Sequence, residues 1–156
     1  MVKPLSELEP KLPRINEVID NASLCKIFCV ANMGGMRYSS TYHVLVLISN
    51  HALKRSNQEF NPFDDEWIDD VFYYTGEGKI GDQPFNPPAR QNKRLCYRNY
   101  NACYLFEVFS QGEHTYIGRV DLESAPLYGS QHRKGIQPDK NGKYRRVWIF
   151  PLKLVD

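Results

Sequence analysis

Tyr73, Tyr74 and Thr75 run straight into Gly76, Glu77, Gly78, Lys79, Ile80 and Gly81, and the acid–amide pair Asp82–Gln83 comes next. An aromatic strand that ends among glycines is a backbone able to approach a ligand closely. Glycine accepts φ > 0 and puts no side chain between the main chain and what it binds. The same residues serve equally well as a plain strand-end turn. A phosphate loop of a nucleotide hydrolase is disfavoured, because the Gly-Lys-Ser/Thr ending is missing and Pro84 and Pro87 stand where an amphipathic helix should begin. Gln91, Asn92, Lys93, Arg94 and Leu95 form a second polar set just downstream. Aromatic residues are interleaved with bases around both: Tyr38, Tyr42, Trp67, Tyr73, Tyr74, Tyr97 and Tyr100 with Arg37, Arg90, Arg94 and Arg98. Stacking on a base contributes about 1–3 kcal/mol, so a few rings beside a basic groove suffice for nucleic acid.

Other chemistries find little support. His43, His51, His114 and His132 do not stand at the i, i+4 spacing of a helical metal pair. The neighbouring acids Asp64, Asp65 and Asp69, Asp70 read as a solvated face rather than a general acid and base. Cys25, Cys29, Cys96 and Cys103 lack the tight knuckles of structural zinc, and are expected as buried, reduced thiols. No metal or other cofactor is expected. With no convergent nucleophile, base and metal set, the chain by itself is not read as an enzyme.

The elements that must carry these residues fit one compact domain. The chain has 156 residues, 42% hydrophobic and 13% aromatic, enough to bury a core unaided. Its 20 Lys and Arg against 18 Asp and Glu give +2, but the charges are segregated. Acids gather from Asp64 to Asp70, and bases at Arg90–Arg98 and Arg133–Arg146. The N-terminus is polar and punctuated by Pro4, Pro10 and Pro13, unlike a signal peptide, and no apolar run nears the length of about 20 residues that spans a bilayer. A cytoplasmic protein without membrane contact is expected. Residues 1–32 read as a lead-in with a short helix around Ile15–Asn21, belonging to the same domain as residues 33–156. Tyr42–Ser49 carries a continuous apolar run, expected as a strand buried on both faces. Asn50–Asp70 reads as a loop with a turn of helix near Trp67, Val71–Thr75 as a strand, and Ala89–Tyr97 as a short helix. Tyr104–Phe109 and Thr115–Leu122 are strands of a hairpin turning at Gln111–Glu113, and Arg145–Leu154 is the last strand. The class is α+β, a β-barrel-like domain with short flanking helices.

The order of these pieces resembles a known family. Gly34, Gly35, Met36, Arg37, Tyr38 and Ser39 precede the strand Leu45, Val46, Leu47. Then come Tyr73, Tyr74, Thr75, Gly76, Glu77 and Gly78, the pair Asp82–Gln83, the run Gln91 to Leu95, and Tyr116, Ile117, Gly118, Arg119, Val120. This is similar to the SRA (SET and RING associated, YDG-type) domain over most of residues 33–122, with its PUA-like twisted barrel. Gln131, Asp139, Gly142, Arg146, Val147, Trp148, Phe150 and Pro151 resemble the bacterial branch, in which such domains accompany HNH nuclease domains in modification-dependent restriction enzymes. The chain itself has no HNH motif.

The resemblance implies a reader of 5-methylcytosine or 5-hydroxymethylcytosine in duplex DNA that flips the modified base, and it implies site residues. Tyr74 matches the stacking tyrosine, Thr75 and Gly76 line the pocket, and His51 after Ser49 and Asn50, or Trp67, covers the other face. Asp64, Asp65 and Asp69 are equal candidates for the acid that bonds the cytosine amino group. Arg37, Tyr38, Ser39, Lys79, Gln91, Lys93, Arg94 and Arg98 are implied contacts of the DNA backbone. The implied partners are double-stranded DNA with a modified cytosine and a linked or associated HNH nuclease domain. Vertebrate members carry a long finger between the Tyr-Thr-Gly loop and the Asp-Gln pair, where this chain has only Glu77 to Ile80. A related barrel reading RNA or another DNA modification, and a protein-interaction module without the pocket, are the competing readings.

Overall fold

The structure, a computed structural model, describes residues 1–52, 65–79, 81–85, 90–129, 136–138 and 143–155. In chain order the elements are α1 (Leu5–Leu8), β1 (Val18–Ile19), α2 (Asn21–Phe28), β2 (Met36–Ser39), β3 (Val44–Asn50), β4 (Glu66–Ile68), β5 (Val71–Thr75), α3 (Arg90–Cys96), β6 (Ala102–Ser110), β7 (Glu113–Leu122), β8 (Leu127–Tyr128), β9 (Ile136–Pro138), β10 (Tyr144–Arg146) and β11 (Trp148–Leu154). They divide into two compact units, one of residues 1–52, 100–120 and 155–156, the other of residues 53–99 and 121–154. The first segment of unit 2 is thus inserted in the connection from β3 to β6.

In unit 1, β3 lies between β2, which runs antiparallel, and β6, which runs parallel. A strand hydrogen-bonded on both edges and covered on both faces must be apolar throughout, and Val44 to Leu47 are wholly buried. β6 turns into β7 through Gln111–Gly112, and a register shift between Leu105 and Phe106 falls opposite Gly118. The lead-in packs on this sheet: Leu8, Leu24 and Phe28 join Val44, Val46, Tyr104, Phe106 and Tyr116 in one core cluster. Phe28 meets Tyr104 at 5.3 Å and Phe106 edge-on at 5.7 Å.

In unit 2, β5 lies between β4 and β11, antiparallel to each, β8 pairs the start of β11, and β9 and β10 form a separate ribbon. The fold is mostly sheet with short helices, but β2 and β4 are edge strands and no pairing among the described residues closes the expected barrel.

Three local expectations are corrected. The helix is Asn21–Phe28 rather than Ile15–Asn21, because Asp20 caps it by accepting the Ser23 N–H at 2.7 Å and Leu24 and Phe28 share its inner face. Trp67 lies in a strand, since Glu66–Ile68 pairs with β5. Of the thiols only Cys103 is buried, and Cys29 is exposed at the left-handed end of α2. Among the described residues no helix is long and apolar enough to cross a membrane.

Candidate functional site

The glycine loop belongs to unit 2. The register that pairs Glu66 with Tyr73 and Trp67 with Phe72 brings Asp65 to the end of β5. Asp65 is 6% exposed, and its Oδ1 accepts the backbone N–H of Thr75 at 2.7 Å. Thr75 and Tyr74 are themselves buried, and the Tyr74 ring lies 6.4 Å from that of Phe72, on which Trp67 packs at 4.9 Å. Of the two candidate aspartates that are described, Asp65 is the one beside Thr75. Asp69 is exposed in the turn at the opposite end of the β4–β5 hairpin, with φ 54°, and Asp64 lies outside the described residues.

The backbone after Thr75 is held from inside by amides. Gln83, buried, donates from Nε2 to the carbonyls of Gly76 at 2.5 Å and Gly78 at 3.1 Å, and its Oε1 accepts the Trp148 N–H at 2.9 Å. Asn92, fully buried on α3, accepts the Glu77 N–H at 2.8 Å and donates to the carbonyls of Glu77 and Pro84 at 3.0 and 3.1 Å. Asp82 accepts the Arg146 N–H at 2.7 Å, which ties the loop to β10. The acid–amide pair and the Asn of α3 therefore work as the buckle of the loop. Trp148 stacks on Phe85 at 4.5 Å and meets the tilted ring of Tyr128 at 4.5 Å.

Glu77 turns inward, and its Oε2 accepts the Gln91 N–H at 2.9 Å. Burial pushes its carboxyl above the ordinary glutamate value of 4.5, against the pull of the Gln91 N–H and the Arg90 charge. A raised folded-state value contributes stability that is complete below about pH 4.5 and is lost as pH rises through the folded value. Glu77→Gln keeps an acceptor and removes the charge. It is expected to flatten this loss, and thermal melts of both proteins from pH 4 to pH 7 test it: the variant gains relative to wild type as pH rises, whereas parallel curves contradict the assignment.

The implied DNA-backbone residues separate by exposure. In unit 2, Lys79 and Lys93 are exposed, and Arg98 is half-exposed, 3.4 Å from Asp121 and bonded to the Leu122 carbonyl. Arg94 bonds Gln91 Oε1 at 3.0 Å and the Asn99 carbonyl at 3.1 Å, and the Gln91 backbone N–H is bonded to Glu77. In unit 1, Arg37 and Ser39 are both buried. Arg37 donates to Asn21 Oδ1 at 2.6 Å and to the Gly34 carbonyl at 2.9 Å, fastening the glycine turn to α2. Ser39 accepts the Tyr42 N–H at 3.4 Å, and the Tyr38 hydroxyl meets His43 Nδ1 at 2.6 Å.

Also in unit 1, His51 Nε2 lies 2.9 Å from Glu107 Oε1 and 3.3 Å from Ser49 Oγ, and its ring stacks on Phe109 at 5.2 Å and 13°. Ser49 is buried, while Asn50 is exposed and accepts the Ala52 N–H. Sequence reasoning passed over Glu107 and Phe109, which lie in an apolar-looking strand. It also passed over Arg145, which read as one more member of a basic cluster. Their signal lay in pairing, since β6 runs in register with β3 and puts Glu107 opposite Ser49.

The chain was compared with known proteins. The family described as "ScoMcrA-like, SRA domain" matches residues 18–156. Comparison with curated proteins found no match. Among solved structures, the sulfur binding domain and SRA domain of ScoMcrA complexed with phosphorothioated DNA aligns with a TM-score of 0.66 at 16% identity over 92% of this chain. The chain spans 40% of the length of that two-domain chain. The DNA recognition domain of the cytosine modification-dependent restriction endonuclease LpnPI aligns at 0.61 and 16% identity, covering 100% of this chain and 79% of that one. The SUVH5 SRA complex with hemi-methylated CG DNA aligns at 0.59 and 16% identity, covering 92% and 89%. With the family match running from before α2 to the end of β11, the chain belongs to the ScoMcrA-like SRA domain family.

Proposed function

We propose that this chain reads a modified cytosine, 5-methylcytosine or 5-hydroxymethylcytosine, in duplex DNA by taking the base out of the stack, as the specificity part of a modification-dependent restriction system. The observation that carries the reading is the Asp65–Thr75 corner: a buried carboxylate fixed by a 2.7 Å hydrogen bond to the backbone of Thr75, the residue between Tyr74 and Gly76. A cytosine presents an exocyclic amino donor, for which a carboxylate is the fitting acceptor. An extruded base needs an aromatic surface, polar partners for its edge and a backbone that lets it come close. Structures of this fold in complex with phosphorothioated and methylated DNA support a duplex as ligand. Lys79 and Lys93 are the exposed cations of unit 2 assigned to phosphates. The cutting step is assigned to an HNH nuclease domain on a linked or associated segment.

Tyr74 is only 3% exposed, so a base reaches its ring after local opening, and association is expected to fall below the diffusion-controlled range. Asp65→Asn tests the reading. Asparagine keeps an oxygen for the Thr75 N–H and replaces the carboxylate by an amide that offers donors to the cytosine amino group. A hydrogen bond to a charged group contributes about 1.5–3 kcal/mol, so affinity for modified-cytosine duplexes is expected to drop by about 10- to 150-fold, with unmodified duplex binding unchanged. An unchanged ratio contradicts the proposal. Tight binding of a phosphorothioate duplex that is indifferent to Asp65→Asn favours a backbone label instead, the reading prompted by the ScoMcrA complex.

A further inference from the structure

Arg145 lies on β10 and is 4% exposed, and its guanidinium reaches the glycine loop through Nη1. Nη1 donates to the Gly78 carbonyl at 2.6 Å and to the Gly81 carbonyl at 3.2 Å. Gln83 holds the Gly76 and Gly78 carbonyls from the same inner side. A peptide unit is planar and trans, so its C=O and the N–H of the next residue point in opposite directions. Drawing the Gly78 and Gly81 carbonyls inward therefore turns the N–H groups of Lys79 and Asp82 away from Arg145. The left-handed backbone of Gly78, φ 119°, and Gly81, φ 67°, makes room for this, and residues 79, 81 and 82 are exposed. Outward amide dipoles beside a lysine form an anion-binding surface. Lys143 and Arg146, both exposed on or beside β10, add positive charge, while the Asp82 carboxylate is occupied at Oδ1 by the Arg146 N–H.

We infer that Arg145 is a positioning residue: it never meets the ligand, but its hold on the two carbonyls aims the Lys79 and Asp82 amides at a single DNA phosphate. The inference rests on the DNA-reading proposal and assigns its phosphate grip. A guanidinium suits the task better than a neutral amide because it offers several donors in one plane and stays charged when buried.

The test uses the full chain, a 5-methylcytosine duplex and an unmodified duplex, with Arg145→Met and Arg145→Lys. Folding is verified by circular dichroism at a temperature well below the melting point of each variant. Each phosphate contact contributes about 0.9 to the slope of log K against log salt. Arg145→Met is expected to lower affinity for both duplexes about tenfold and to reduce the salt slope by about 0.9. Arg145→Lys, which keeps donors for the carbonyls, is expected to restore most of both. In the wild-type protein, the amide NMR signals of Lys79 and Asp82 are expected to shift when duplex is added.

A folded Arg145→Met with wild-type affinity and slope overturns the inference. So does an Arg145→Lys that fares no better than Met, because a role confined to stability would lower only the melting temperature. If Arg145→Met does not fold, unmoved Lys79 and Asp82 amides in the wild type overturn it. A wild-type protein that binds no duplex overturns the DNA reading itself and the phosphate role with it, an outcome separate from all of these.

Discussion

Tyr74→Ala is expected to erase discrimination between modified and unmodified duplexes while leaving affinity for unmodified DNA within about threefold. Base–ring stacking contributes about 1–3 kcal/mol, which corresponds to roughly 5- to 150-fold in the affinity ratio. The ring sits at the end of β5, where Phe150 of β11 faces it in register and Phe72 lies 6.4 Å away, so it is held in one place rather than swinging on a loop. Removing a buried ring also costs stability, about 3–5 kcal/mol in a core that cannot collapse around the gap. Binding to the unmodified duplex serves as the internal control. A variant that keeps this while losing the preference has lost the ring's contact, and one that loses both has lost its fold. Competition titrations at a temperature where the variant remains folded separate the two, and a retained preference contradicts a stacking role for Tyr74.

The second large effect lies in the loop. A Cβ on Gly76 would stand 2.5 Å from Asn92 Oδ1, 3.0 Å from Asn92 Cγ and 3.1 Å from Gln83 Oε1. Neither side chain can swing aside, since Asn92 is fully buried with three hydrogen bonds and Gln83 is held on both ends of its amide. Gly76→Ala is therefore expected to break the bond to the Glu77 N–H and at least one of those made by Gln83. Each buried group so stranded costs about 1–3 kcal/mol, giving a total of roughly 2–4 kcal/mol and a fall in Tm of about 5–15 °C. Gly81→Ala is the control. Among the described residues nothing lies within 4 Å of its Cβ, and the left-handed φ of 67° opposes it, so the expected cost is about 1 kcal/mol. Denaturant melts of the two variants measure the difference, and equal losses contradict the steric account of Gly76.

The fold was legible where burial or local chemistry leaves few choices. Val44–Ile48 read as a doubly covered strand because only apolar side chains suit a strand between two neighbours, and the hairpin of β6 and β7 announced itself by alternation around Gly112. α2 was misplaced because its start depends on one capping aspartate and its two core residues stand among cysteines that drew attention to metal chemistry. The strand at Trp67 was invisible for a different reason: three residues carry no period, and they are extended only because β5 is there to pair with.

The site divides along the same line. The Tyr-Thr-Gly loop was recognisable from residue types, yet its order of importance was not. Asp82, Gln83 and Asn92 were legible as motif residues but not as the loop's internal frame, and Asp65 was one of three equal acids before register set it beside Thr75. Arg37, a base in a glycine turn, is buried and bonded to Asn21 of α2. Charge in a sequence does not say which side of the backbone it will occupy.

The most direct measurement of the central claim is fluorescence anisotropy competition among otherwise identical duplexes carrying one cytosine, 5-methylcytosine, 5-hydroxymethylcytosine or phosphorothioate at the same position. The account predicts that a modified cytosine competes at least about tenfold better than plain cytosine, and that Asp65→Asn and Tyr74→Ala each remove that margin. Equal competition by all four duplexes contradicts it.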